Sequence, residues 1–131
     1  PTDELLQHPK VVCLPHLGAS TVEAENNCAI MVVQQLIDFI ANGNIVNSVN
    51  YPHCAIDRSG DYRLIITNDN VPNMVGQISS VIASEGLNII EMVNKSRGDL
   101  AYNIVDLAGK PSHSLVDRIV SISGVTMARV L

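Results

Sequence analysis

Residues 88–107, NIIEMVNKSRGDLAYNIVDL, decide the fold. Two runs rich in β-branched and apolar residues, Asn88–Lys95 and Leu100–Leu107, flank a polar turn, Ser96–Asp99, built around Gly98. That pattern predicts a hairpin, because glycine reverses the chain without strain and the flanking runs suit a half-buried pleat. Upstream, Met74, Val75, Ile78, Val81 and Ile82 recur at three- and four-residue steps. They predict a helix closed by Glu85-Gly86. Before that helix, Tyr62–Thr67 is a strand and Asn68–Asn73, containing Pro72, a polar turn. Downstream, Pro111-Ser112 opens a second helix with Ser112 as N-cap and Leu115, Val116, Ile119 and Val120 as its buried face. Gly124 ends it, and Val125–Leu131 is a last strand. The order over residues 61–131 is βαββαβ. It predicts an α+β, ferredoxin-like unit, a four-stranded antiparallel sheet with both helices on one face.

The first 60 residues follow different rules. Val11–Leu14 is a short apolar run ended by Pro15 and predicts a strand. Ser20 and Glu23 have the spacing of a capping box, so a helix starts there. Cys28, Val32, Val33, Leu36, Ile37 and Ile40 give it one apolar stripe, and Asn42-Gly43 a left-handed stop. So long and apolar a helix needs a partner surface, and a second copy of the chain is the partner expected. Ile45–Tyr51 reads as extended, and residues 53–60 as a linker. The predicted organisation is therefore an arm over residues 1–52, a linker over 53–60 and a domain over 61–131.

Composition narrows the function. Of 131 residues, 47% are hydrophobic and 16% charged, enough to bury a core. Aromatics make up 3% and Trp is absent, so that core is aliphatic. A net charge of −5 without a basic run argues against nucleic acid and against an anionic membrane as partners. No apolar run approaches the roughly 20 residues that span a bilayer. Cys13, Cys28 and Cys54 lack paired or metal-ligand spacing, which predicts reduced thiols in a cytoplasmic protein and no metal site. His8, His53 and His113 belong to no motif and read as surface residues. The start at Pro1, without Met, suggests a fragment or a processed chain.

One motif carries a family. Val11-Val12-Cys13-Leu14-Pro15-His16-Leu17-Gly18-Ala19-Ser20-Thr21, with Glu23–Asn27, Asn42-Gly43 and Val49-Asn50-Tyr51-Pro52 behind it, resembles the D-3-phosphoglycerate dehydrogenases among the D-2-hydroxyacid dehydrogenases. The βαββαβ unit resembles their ACT regulatory domain. The resemblance covers nearly the whole chain but only the last third of such an enzyme. It implies that His16 is the general acid/base of the longer enzyme, exchanging a proton with the substrate hydroxyl as hydride moves to NAD. It implies that His16, Leu17, Gly18 and Ala19 line the nicotinamide end of that cofactor. The orienting carboxylate, the substrate-binding arginine and the glycine fingerprint of a dinucleotide site are not among these residues. By itself the chain is expected to be inactive, to bind no NAD, and to carry His16 as an idle surface residue.

The resemblance also implies an effector site for L-serine or a related small amino acid at the interface of two ACT domains. The matching positions are Asn68, Asn70 and Asn88. An amide offers both a donor and an acceptor to an amino acid, and a helix N-terminus favours its carboxylate. The plainer reading makes Asn68, Asn70 and Asn73 turn formers. The expected assembly is a homo-oligomer, at least a homodimer, formed through ACT sheet edges alone or through these together with the N-terminal helix. A purely structural ACT pair without effector is the alternative.

Overall fold

A computed structural model describes residues 3–131. The chain divides into two compact units, residues 1–34 and Gln35–Leu131. The elements are α1 (Asp3–Gln7), α2 (Val22–Asn42), β1 (Tyr62–Asp69), α3 (Met74–Ser84), β2 (Ile89–Arg97), β3 (Leu100–Leu107), α4 (His113–Val120) and β4 (Val125–Val130).

The first unit corrects the sequence reading in two places. Val11–Leu14 is not a strand. A strand is held by a ladder to a neighbour, and Val11–Leu14 pairs with no segment among the described residues. The cap of α2 is Thr21 rather than Ser20: the Ala24 amide donates to Thr21 Oγ1 at 3.2 Å. The five-residue α1 has no counterpart among the expected elements. The apolar stripe of α2 exists but is uncovered, with Ile37 61% and Ile40 63% exposed.

In the second unit the four strands form one antiparallel sheet in the order β2-β3-β1-β4. Helices α3 and α4 bury Met74, Ile78, Ile82, Leu115 and Ile119. The last four helical residues pack on one sheet face together with Leu64, Ile66, Val105 and Leu107. Val120, expected on the buried face of α4, is 44% exposed. Ser112 is the N-cap of α4, yet its hydroxyl donates to Glu85 Oε1 at 2.9 Å instead of capping the helix. Glu85 also receives Arg118, so the end of α3 is tied to α4.

The opposite sheet face is covered too. Ile45, Cys54, Ile65, Tyr102 and Ile104 are buried there, with Phe39, Tyr51 and Ile56 packed against them. Ile45 and Cys54 exchange backbone hydrogen bonds of 2.7 and 3.0 Å. The segment expected as a linker over 53–60 is thus part of the packed unit. The reason is the sheet itself: Ile65, Ile104 and Tyr102 project to this side and would otherwise lie in water. Gly43 adopts φ +71, and a Cβ there would collide with the Ile65 side chain, so only glycine ends α2 this close to β1.

Three sheet side chains hold the end of α2. Arg63 Nη1 donates to the Asn42 carbonyl at 3.0 Å, Tyr102 Oη to the Gly43 carbonyl at 2.7 Å, and Arg129 Nη2 to the Phe39 carbonyl at 2.5 Å. The Asn42 carbonyl closes the helix and the Gly43 carbonyl follows it, whereas the Phe39 carbonyl also accepts from the Gly43 amide at 3.0 Å. The Arg129 guanidinium also lies 4.7 Å from the Phe39 ring centre.

Candidate functional site

The candidate effector residues fall at opposite ends of one sheet. The strand β1 runs two residues beyond its expected end, which places Asn68 in the sheet rather than in a turn. Its side chain is 1% exposed, and both halves of the amide are engaged inside the protein. Asn68 Oδ1 accepts from Asn103 Nδ2 at 2.7 Å, and Asn68 Nδ2 donates to the Asp69 carbonyl at 2.6 Å. Asn68 is therefore not a group free to meet a ligand, as its expected position in a polar turn had suggested. Burial next to an apolar core explains it, because an amide there must be satisfied internally.

Asn70 is exposed and pins the β1–α3 loop to the hairpin tip. Its Nδ2 donates to the Gly98 carbonyl at 3.0 Å and its backbone amide to the Asp99 carbonyl at 2.8 Å. The Asn70 Oδ1 accepts nothing among the described residues. Asn88 is exposed just before β2, and its carbonyl accepts from the Ala108 amide at 2.9 Å. Asn68 lies opposite Ala101. The seven residues from Ala101 to Ala108 along β3 put roughly 23 Å between Asn68 and Asn88 within one chain. One chain therefore brings Asn68 and Asn70 together but not Asn88.

The start of α3 adds backbone donors. Asn73 is its N-cap in the left-handed conformation, φ 68 and ψ 10, and makes no side-chain capping bond. Its amide lies against Gly76, where a Cβ would strike Asn73 Oδ1. A shallow groove of about 400 Å³ runs along this helix, lined by Asn73, Gly76, Gln77, Ser80, Val81 and Ile122.

The electrostatics of the unit centre on Arg63 and Asp106. Burial works to raise the Asp106 carboxyl, but the Arg63 guanidinium and the Ser59 amide and hydroxyl outweigh it and hold the pKa below the ordinary value. Burial pushes the Cys54 thiol up. It pushes Tyr102 up to about 12, with Arg129 opposing. None of these groups faces an open site. They read as structural, and Cys54 is not an activated nucleophile.

His16, Leu17, Gly18 and Ala19 form an exposed stretch ending in a turn. No side chain among the described residues hydrogen-bonds to His16. Alone these residues do not make a cradle that fits NAD. Among the described residues no three His, Cys, Asp or Glu side chains gather as a metal site. No helix among the described residues is long and apolar enough to cross a membrane.

Two sheet residues, one exposed and one buried, escaped the sequence reading. Asn94 and Asn103 face each other on β2 and β3, and Asn94 Nδ2 donates to Asn103 Oδ1 at 2.6 Å. Counting outward from the Gly98 turn would have paired them. Their link to Asn68 depends on the β1–β3 register and was not readable.

No family model matches the chain. Curated relatives do. The chain is 30% identical over 121 residues to D-3-phosphoglycerate dehydrogenase 1 of Saccharomyces cerevisiae, covering 88% of this chain and 25% of that protein. It is 26% identical over 132 residues to the Escherichia coli D-3-phosphoglycerate dehydrogenase, covering 99% of this chain and 32% of that protein. The chain thus spans a quarter to a third of the length of these relatives. Among solved structures, the ACT domain from the GTP pyrophosphokinase of Chlorobium tepidum is 20% identical with a TM-score of 0.47, covering 53% of this chain and 95% of that one. Over nearly its whole length, the chain is homologous to the C-terminal region of the D-3-phosphoglycerate dehydrogenases.

Proposed function

We propose that the chain is the regulatory, amino-acid-sensing region of a D-3-phosphoglycerate dehydrogenase, and that two copies bind L-serine between Asn70 of one and Asn88 of the other. The observation that carries the reading is the placement of these two asparagines at opposite ends of the edge strand β2. Asn70 hangs from the hairpin at its far end, through the 3.0 Å bond to Gly98. Asn88 opens its near end. An antiparallel pair of β2 strands joins unlike ends, and so makes one composite site from each Asn70 and the Asn88 of the second copy.

Charge favours one register. A twofold axis through Val93 sets Glu91 opposite Lys95 of the second copy, twice, and brings Asn88 within about one residue of the partner's Gly98 turn. The bulge at Ile90, where the β2–β3 register shifts, accounts for that residue. An open edge also gains its missing ladder by such pairing. In the longer enzyme, which oxidises 3-phosphoglycerate with NAD, His16 acts as general acid/base and His16–Ala19 line the cofactor. The chain spans a quarter to a third of the length of these relatives, and by itself it is read as catalytically incomplete.

Calorimetric titration of the 131-residue chain with L-serine tests the reading. Binding that weakens about tenfold in Asn88→Ala and in Asn70→Ala supports it. No heat and no thermal stabilisation with L-serine, glycine or L-alanine would leave the pair as a structural element only. Turnover of 3-phosphohydroxypyruvate with NADH by this chain would overturn its catalytic incompleteness.

A further inference from the structure

The sheet holds the last turn of α2 in two places, and the two holds differ in completeness. At Asn42 and Gly43 every group is bonded. Arg63 Nη1 donates to the Asn42 carbonyl at 3.0 Å, and the other Arg63 nitrogens have partners as well. Tyr102 Oη donates to the Gly43 carbonyl at 2.7 Å. Both side chains are buried on the inner strands β1 and β3. The Asn42 and Gly43 carbonyls have no other donors among the described residues. Parting this hold would strip both oxygens and break into the Arg63–Asp106 pair.

At Phe39 the hold is partial. Arg129 stands on β4, which pairs with β1 on one side and with no strand on the other. Its Nη2 donates to the Phe39 carbonyl at 2.5 Å, but that oxygen also accepts the Gly43 amide at 3.0 Å. The carbonyl therefore stays bonded whether Arg129 is there or not. Arg129 Nε is buried and has no acceptor among the described residues, a state that closed proteins seldom tolerate. The guanidinium lies 4.7 Å from the centre of the Phe39 ring, and both residues are only half-buried. An attraction of this kind is weak where water has access. Parting this contact orphans no carbonyl and gives the stranded Nε donor to water.

We propose that Arg129 and Phe39 form a latch that parts while Arg63 and Tyr102 keep their hold, so that the end of α2 pivots on the sheet at Asn42-Gly43. Gly43, at φ +71, ends the helix and is the joint. A few residues at the end of an element commonly absorb such a turn. α2 is one helix from Val22 to Asn42, so the latch sets the direction in which this helix leaves the sheet. The device does not depend on the binding of an amino acid.

Hydrogen exchange of the arginine Nε–H groups, followed by NMR on the 131-residue chain at rising urea concentration, tests the latch, because each arginine reports on its own hold. The Arg63 Nε–H should exchange as slowly as the β1–β3 amides and with their urea dependence. The Arg129 Nε–H should exchange at least about tenfold faster and with little urea dependence, the mark of a local opening. The Gly43 amide should stay as protected as Arg63. Phe39→Leu should speed Arg129 roughly threefold and leave Arg63 unchanged. An Arg129 signal that matches Arg63 in rate and urea dependence overturns the latch, because parting then requires global unfolding. An Arg129 Nε–H with no protection overturns it too, because the donor is then hydrated throughout. A Gly43 amide that exchanges together with Arg129 overturns the pivot and assigns the opening to fraying of the helix end. An Arg129 rate unmoved by Phe39→Leu removes Phe39 from the latch. Should Phe39→Leu fail to fold, the three signals of the unsubstituted chain decide.

Discussion

Arg63 and Asp106 stand directly opposite each other on β1 and β3 and form a two-point ion pair, Nε to Oδ1 at 2.6 Å and Nη2 to Oδ2 at 2.8 Å, with both side chains fully buried. The remaining guanidinium donors reach the carbonyls of Asn42, Ile56 and Asp57, and the carboxylate accepts from the Ser59 amide and hydroxyl. One pair thus joins the sheet, the end of α2 and the 56–59 segment. Its bonds are complete, which is the condition under which a buried pair is tolerated.

Removing one partner exposes that dependence. Arg63→Met leaves a buried carboxylate without its cation and should cost about 3–5 kcal/mol, read from urea unfolding. The double variant Arg63→Met with Asp106→Leu should recover much of the loss, because no unpaired charge remains.

The same pair sets the acid limit. The Asp106 pKa is lower in the folded protein than the roughly 3.9 of an unfolded chain. Its contribution is therefore fully present above that value and is lost as pH falls through it toward the lower folded value. Melting temperature against pH should bend downward below about 4. Asp106→Asn should flatten the bend.

Tyr102 sets a matching alkaline limit. Its pKa is pushed up to about 12 by burial, above the roughly 10 of an unfolded chain. Its contribution holds below the unfolded value and is lost as pH rises through about 12. Ultraviolet titration should resolve one tyrosine ionising late, and Tyr102→Phe should remove that step. The variant should also lose about 1 kcal/mol with the bond to the Gly43 carbonyl.

Asn73 and Gly76 should behave as a coupled pair. Gly76→Ala places a methyl against Asn73 Oδ1 and drives that side chain out of its place. In an Asn73→Gly background the obstacle is gone, and Gly76→Ala should gain about 1 kcal/mol of helix propensity. A double-mutant cycle by thermal unfolding measures the difference.

Pairing through β2 predicts a charge reversal. Glu91→Lys sets like charges across the twofold axis and should weaken self-association in sedimentation velocity. Glu91→Lys combined with Lys95→Glu should restore it. Unchanged association of the single variant would place the interface elsewhere.

The order of elements was legible in residues 61–131 because each signal there is local. Gly98 turns the hairpin, Met74 to Ile82 keep a helical step, and Leu100–Leu107 is a strand at the bounds predicted. The His16 stretch likewise pointed to the relatives that the comparisons then found. Val11–Leu14 misled because a strand depends on a neighbour that a local run of residues does not reveal. Residues 53–60 misled because Cys54 and Ile56 are ordered by Ile45 and the far face of the sheet, not by their own pattern.

The sequence by itself therefore determined the βαββαβ order, the aliphatic core and the kinship, all of which rest on periodicity, turn residues and short motifs. Tertiary structure alone decided which polar residues are spoken for. Asn68 turned inward because the β1–β3 register sets it beside Asn103, and Asn94 kept a free oxygen because it stands on an edge. The first outcome depends on a hydrogen-bond partner 35 residues away and the second on no strand lying beyond β2, and a local pattern of residues carries no trace of either.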